Sequence, residues 1–240
     1  MLDRFPLPIK VVLIDLDGTL LDTIADLAYA ANLMRRDLGL RELPEATIKT
    51  FVGRGLQNLV ARTVAVDAIE APDSASLEHA LALYEKHYAE VLTRSPQLFP
   101  GVIEGLQLMQ QAGFRLGCIT NKAARFTLPL LEYMRLRHYF DIILSGDSLA
   151  KKKPDPMPLL HAAQHFGVAP GDMLLIGDSV NDAEAARAAG CHLFLVPYGY
   201  SASRPVTELG ADAIVAKLAD ALELIENAQS NAPQNPTVTT

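Results

Sequence analysis

The run Val11-Val12-Leu13-Ile14-Asp15-Leu16-Asp17-Gly18-Thr19-Leu20 decides the fold. Four apolar, mostly β-branched residues end abruptly in two carboxylates, a glycine and a threonine. This is the pattern of a short buried strand that delivers polar groups at its carboxyl end. Open parallel α/β sheets place their sites at that end of their strands. Two neighbouring carboxylates are costly to bury without a cation between them, so a divalent metal is expected there. A calcium loop is excluded. Counted from Asp15, the positions that need a carboxylate or amide, a glycine and a glutamate hold Thr19, Leu20 and Asp26. A surface turn explains neither the apolar strand before the pair nor the second acidic strand end below.

Outward from this strand, similar apolar runs recur at Phe114 to Thr120, Ile142 to Ser145, Met173 to Gly177, His192 to Pro197 and, weakly, Ala213 to Val215. Helical spacing fills the gaps at Gly101 to Ala112, Pro156 to Phe166 and Asp182 to Ala189. Each helix is followed by a glycine, Gly113, Gly167 or Gly190, where a helix terminates. Strand and helix in alternation predict an α/β fold, a doubly wound, Rossmann-like parallel sheet with helices on both faces. One stretch breaks the alternation. Ile24 to Leu38, Leu56 to Val66 and Ser76 to Leu92 are all helical in spacing, punctuated by Gly39, Pro44, Gly53-Arg54-Gly55 and Pro72. The expected organisation is therefore a discontinuous core of residues 1–22 and 96–227, an inserted helical cap of 23–95 and a mobile tail of 228–240. A cap inserted directly after Asp15 and Asp17 hangs over them and reads as a lid.

The chain has 240 residues, half of them hydrophobic, with a net charge of −7. This acidity argues against nucleic acid or an anionic membrane as a partner. The two cysteines, Cys118 and Cys191, sit beside apolar runs and read as small buried hydrophobes in a reducing compartment. Residues 1–10 lack the apolar core of a signal peptide, and no apolar run approaches the length of a membrane span. The expectation is a cytoplasmic protein, monomeric or a small homo-oligomer.

The second acidic strand end is Leu174-Leu175-Ile176-Gly177-Asp178-Ser179-Val180-Asn181-Asp182. Ser179 or Asp182 caps the helix that follows, and Asp178 is placed to share a metal with the first pair. An all-oxygen donor set with no histidine or cysteine cluster selects a hard cation such as Mg²⁺. Thr120-Asn121-Lys122 supplies a hydroxyl and backbone amides at another strand end, suited to an anion. Of Lys151-Lys152-Lys153, Lys153 is favoured to reach the acidic centre because Pro154 restrains its backbone. Carboxylates, one Mg²⁺, a lysine and a hydroxyl together suit phosphoryl transfer: an aspartate attacks phosphorus and a second carboxylate manages the proton.

These motifs, in the order Asp15-Leu-Asp17-Gly-Thr, Thr120-Asn121, Lys153-Pro154 and Gly177-Asp178-Ser-Val-Asn-Asp182, resemble the haloacid dehalogenase superfamily of aspartate-nucleophile phosphatases. The resemblance implies Asp15 as nucleophile and Asp17 as general acid/base. It also implies Thr120 and Lys153 on the phosphate, and Asp15, the Asp17 backbone carbonyl and Asp178 on Mg²⁺, with Asp182 supporting them or serving as an auxiliary ligand. Within the superfamily the chain is similar to bacterial members that hydrolyse 2-phosphoglycolate. That similarity lies in Leu20-Leu21-Asp22-Thr23, Ala25-Asp26-Leu27-Ala28, Phe51-Val52-Gly53-Arg54-Gly55, Thr120-Asn121-Lys122, Lys152-Lys153-Pro154-Asp155-Pro156 and Pro197-Tyr198-Gly199-Tyr200. It implies a small phosphorylated metabolite as partner; Asn121 and Arg54 are further candidates to face the substrate. Arg54 stands between two glycines that permit close backbone approach and reads as the contact to a substrate carboxylate. Other small phosphates (sugar phosphates or pyrophosphate), a phosphosugar mutase and a non-enzymatic binding module are the alternatives.

Overall fold

The computed structural model describes residues 5–66, 73–201 and 204–228. In chain order its elements begin with β1 (Leu7–Ile9), β2 (Val11–Ile14) and β3 (Leu21–Asp22). The helices α1 (Ile24–Asp37), α2 (Glu45–Lys49), α3 (Leu56–Ala65) and α4 (Ser74–Val91) follow. Then come β4 (Gln97–Leu98), α5 (Val102–Gln111), β5 (Arg115–Ile119), α6 (Ala124–Tyr133) and β6 (Ile142–Leu144). The remainder is α7 (Met157–Phe166), β7 (Met173–Gly177), α8 (Val180–Ala189), β8 (His192–Leu195), β9 (Ala213–Ile214) and β10 (Ile225–Asn227).

The six strands of the main sheet run parallel in the order β6-β5-β2-β7-β8-β9. This is the doubly wound order the alternation predicts. The winding reverses between β2 and β7, the point at which such sheets bind ligands beyond their carboxyl ends. Every residue of β2 is buried, and the strand's alternation divides them between two cores. Val12 and Ile14 join the larger one, with Leu116, Cys118, Leu174 and Phe194. Val11 and Leu13 join the other, with Leu159, Phe166 and Leu175. The helices α5, α7 and α8 end at Gly113, Gly167 and Gly190 as their sequence signals.

The stretch between Asp22 and Gln97 forms helices, with α1 packed on α4, α2 and α3. Its two ends are tied by antiparallel pairing of Leu21 with Leu98 and Asp22 with Gln97. This two-residue pairing, the β1–β10 pair and the five-residue α2 carry too few residues for a legible period in sequence. Helix α6 contains Pro129, which breaks its helical signature. Pro72 and, apart from Ala228, the tail expected to be mobile lie outside the described residues. Among the described residues, no helix is long and apolar enough to cross a membrane.

Candidate active site

Register brings the acidic strand ends together. Ile14 of β2 pairs with Cys118 of β5 on one side and Ile176 of β7 on the other. The ladder continues one step further, with Asp15 N–H donating to Ile176 C=O (2.9 Å) and Thr120 N–H to Leu144 C=O (2.9 Å). Asp15, Thr120 and Asp178 therefore emerge along one edge. Asp182 joins them from the first turn of α8, where its carboxylate reaches back to accept from the Ser179 N–H (3.1 Å) and hydroxyl (2.6 Å). Both residues named as cap candidates thus take part in that helix start.

Carboxylate oxygens of Asp15, Asp178 and Asp182 lie within 4.8 Å of one another, all three residues buried. Lys153 enters between them: its Nζ is 3.0 Å from Asp15 Oδ1 and 2.6 Å from Asp182 Oδ1, and donates to Ile119 C=O (2.6 Å). Its side chain is 2% exposed. Burial opposes its charge, but Asp15 and Asp182 outweigh that and hold its pKa above the ordinary value. Burial pushes the Asp15 carboxyl up from 3.8 to about 7; Lys153 opposes the rise and Asp182 adds to it. The Asp178 carboxyl is raised well above its usual range, first by burial and then by repulsion from Asp182 and Asp15.

When fully ionised, the three carboxylates against one ammonium carry an excess of two negative charges, which a divalent cation would balance. The donors are all oxygen, as Mg²⁺ requires. Asp178 is seated for such a role. Thr19 Oγ1 donates to its Oδ1 (3.3 Å) and Tyr200 N–H donates to Oδ2. A side chain at Gly18 or Gly199 would run into its carboxylate. The residues present fit the cation. Asp182 lies among the clustered carboxylates themselves.

Asp17 points elsewhere. Lys122 Nζ lies 3.1 and 3.2 Å from its two oxygens, and Thr23 Oγ1 donates to Oδ1 (2.8 Å). Lys122 also donates to the Tyr88 hydroxyl on α4. Asp15 and Asp17 share one pocket, lined further by Thr120, Asn121, Lys122, Gly53, Gly55, Tyr88 and apolar residues including Leu56 and Phe126. Asn121 Nδ2 donates to Gly53 C=O (2.9 Å) and Lys153 C=O (2.7 Å), while its buried Oδ1 has no partner among the described residues. The glycines beside Arg54 do approach the site, Gly53 through that carbonyl. Arg54 itself is exposed and lines a neighbouring pocket with Asn58, Arg62 and Asn181. Sequence reasoning gave Tyr88 no part here and named Tyr200 only within the Pro197-Tyr198-Gly199-Tyr200 motif, with no role assigned. Tyr88 occupies one apolar position in a helical pattern, and Tyr200 approaches Asp178 through its backbone, which no side-chain pattern reports.

Cys118 is buried in β5, and burial raises its thiol pKa, as expected of a packing residue, whereas Cys191 is only partly buried.

The chain matches the model of the haloacid dehalogenase-like hydrolases over residues 12–196. It is 57% identical to phosphoglycolate phosphatase of Nitrosospira multiformis over 93% of this chain and 98% of that one. It is 54% identical to phosphoglycolate phosphatase of Thiobacillus denitrificans, over 93% and 99%. Its fold superposes on the crystal structure of a predicted phosphoglycolate phosphatase from Haemophilus somnus 129PT with a TM-score of 0.85, at 32% identity over 89% of this chain and 96% of that one. These similarities and the acidic switch point agree: the chain belongs to the haloacid dehalogenase-like hydrolase family.

Proposed function

We propose that the protein is a Mg²⁺-dependent phosphomonoesterase that hydrolyses 2-phosphoglycolate to glycolate and phosphate through an aspartyl-phosphate on Asp15. The observation that carries this reading is the buried set of Asp15, Lys153, Asp178 and Asp182, of which Asp15 lines a pocket together with Asp17. The relatives' names supply the substrate.

In the first step an Asp15 carboxylate oxygen attacks phosphorus. The ester P–O bond breaks, and Asp17 gives its proton to the departing glycolate oxygen. In the second step Asp17 takes a proton from water as that water attacks phosphorus. The acyl-phosphate P–O bond then breaks, which frees phosphate and restores Asp15. Lys153 and the Thr120 hydroxyl are assigned to the phosphoryl oxygens, with Lys153 supplying fixed positive charge in a buried setting. Asp15, Asp178 and the Asp17 backbone carbonyl would hold Mg²⁺, with Asp182 beside them; the bound ion supplies further charge neutralisation.

Residues 23–95 act in this reading as a lid hinged at the Leu21–Leu98 and Asp22–Gln97 pairing. Asn121 faces the substrate from the core. Arg54, on the lid loop whose glycines line the pocket, faces a neighbouring pocket between the insertion and the core, beside Ser179 and Asn181. The enzyme works in the cytoplasm on a small metabolite.

Phosphate release from a panel of small phosphate esters, with Mg²⁺, tests the proposal. Phosphoglycolate should show the highest kcat/KM. A sugar phosphate or pyrophosphate in first place would replace the substrate, and no release from any ester would remove the enzyme reading.

A further inference from the structure

The pocket shared by Asp15 and Asp17 is lined by a single cation among the described residues, Lys122. Its side chain is 4% exposed, so it is not a solvated surface charge. An ammonium is expensive to bury, and here it is held by Asp17, by the Tyr88 hydroxyl and by the Tyr88 ring, whose centroid is 4.7 Å away. Tyr88 comes from α4 of the helical insertion, whereas Lys122 and Asp17 follow strands of the main sheet. Lys122 thus stands where the two parts meet, on the wall of the space that any ligand of Asp15 must enter.

Its partner poses a geometric problem. Both Asp17 oxygens are engaged, one by Lys122 alone and one by Lys122 and Thr23. To reach the oxygen of a leaving group Asp17 must give up one of these contacts. A second negative group on the substrate would supply Lys122 with a replacement partner.

On the phosphatase reading above, we propose that Lys122 binds the carboxylate carried by the leaving fragment and in doing so releases Asp17 toward the leaving oxygen. Lys122 is then a specificity-determining residue: it couples recognition of the substrate's second anion to positioning of the acid/base. The ligand class it selects is a short phosphate ester whose alcohol carries a carboxylate close to the phosphate. The other lining side chains are apolar, acidic or neutral, and none offers an ion pair to that group. Placement favours Lys122 over Arg54, which faces another pocket. A lysine that merely ties the insertion to the sheet would stabilise the protein but would not distinguish a charged from a neutral substrate.

The test compares phosphoglycolate with the phosphate ester of glycolamide, in which a neutral amide replaces the carboxylate. Wild type should prefer phosphoglycolate by at least tenfold in kcat/KM. Lys122→Met should bring the two esters to within about twofold of each other, mainly through loss on phosphoglycolate. Tyr88→Phe, which keeps the ammonium, should retain the preference. Lys122→Gln gives a second reading if the methionine variant does not fold. Wild-type discrimination below twofold, or a preference that survives both Lys122 variants, overturns the proposal. A wild-type enzyme that hydrolyses other esters and neither of these two overturns the substrate reading, and the Lys122 assignment falls with it. Preference that survives the Lys122 variants while wild type still favours phosphoglycolate overturns the Lys122 assignment alone.

Discussion

Lys153 and Asp182 form an ion pair of 2.6 Å in which the side chains are 2% and 0% exposed. A pair so fully withdrawn from water depends on both partners, because either one alone is an uncompensated buried charge. Lys153→Met leaves Asp15, Asp178 and Asp182 facing one another. The expected loss is on the order of 3–5 kcal/mol in urea unfolding, the usual cost of removing one partner of a buried pair. Saturating Mg²⁺ should recover part of it, since a divalent cation supplies the missing charge. An unchanged midpoint would show that the acidic cluster does not need its lysine.

Asp15→Asn separates catalysis from stability. Turnover should vanish, because an amide cannot attack phosphorus. Stability should move the other way. The Asp15 carboxyl rises from 3.8 to about 7 on folding, chiefly through burial, so the folded protein binds that proton more tightly than the unfolded chain does. Its contribution is complete below 3.8 and is lost as pH rises through 7. In chelator, wild type should therefore weaken between these two pH values more than Asp15→Asn does. Parallel stability profiles for the two proteins would contradict the burial argument, and retention of a tenth of wild-type kcat would exclude Asp15 as nucleophile.

Binding of Mg²⁺ should release protons. Carboxyl groups held above their usual range by burial and mutual repulsion must ionise fully to bind a cation. Calorimetric titration at about pH 6.5 in buffers of different ionisation enthalpy should show net proton release, and affinity should climb as pH rises. Asp178→Ala should raise the Mg²⁺ requirement for activity. Full activity after exhaustive chelation would remove the metal from the mechanism.

The parts of this site that sequence discloses are those fixed by strand ends. Val11–Ile14 and Met173–Gly177 are read as buried strands from their apolar runs, and Asp15 and Asp178 follow because a parallel sheet sets its carboxyl ends in line. Lys153 is legible through Pro154. Lys122 is harder to place: its burial depends on Tyr88, contributed by a helix of the insertion, and nothing local to Thr120-Asn121-Lys122 reports that partner. Arg54 shows the converse. Its glycine neighbours put the Gly53 carbonyl against Asn121 at the pocket wall, while the Arg54 side chain lines the neighbouring pocket, a direction that the glycine signal does not encode.

Asp17→Asn tests the proton step. Turnover of phosphoglycolate should fall by roughly 10²–10⁴-fold, the range for loss of a general acid or base. The fall should be smaller for p-nitrophenyl phosphate, whose leaving group needs little protonation. Equal losses on both substrates would contradict a role at the leaving oxygen.

Arg54 and Lys122 are both cations near the pocket, and salt distinguishes what they do. Arg54 is exposed, so its field acts through water on the approaching multiply charged anion and is screened over about 10 Å at 0.1 M salt. Arg54→Ala should lower kcat/KM for phosphoglycolate by only a few-fold at low ionic strength. At high ionic strength the difference from wild type should shrink toward nothing. The ammonium of Lys122 is buried between Asp17 and Tyr88, so the effect of Lys122→Met should persist across the same salt series. A tenfold, salt-independent loss in Arg54→Ala would instead mean that Arg54 turns inward during turnover and makes a direct, charge-assisted contact with the substrate.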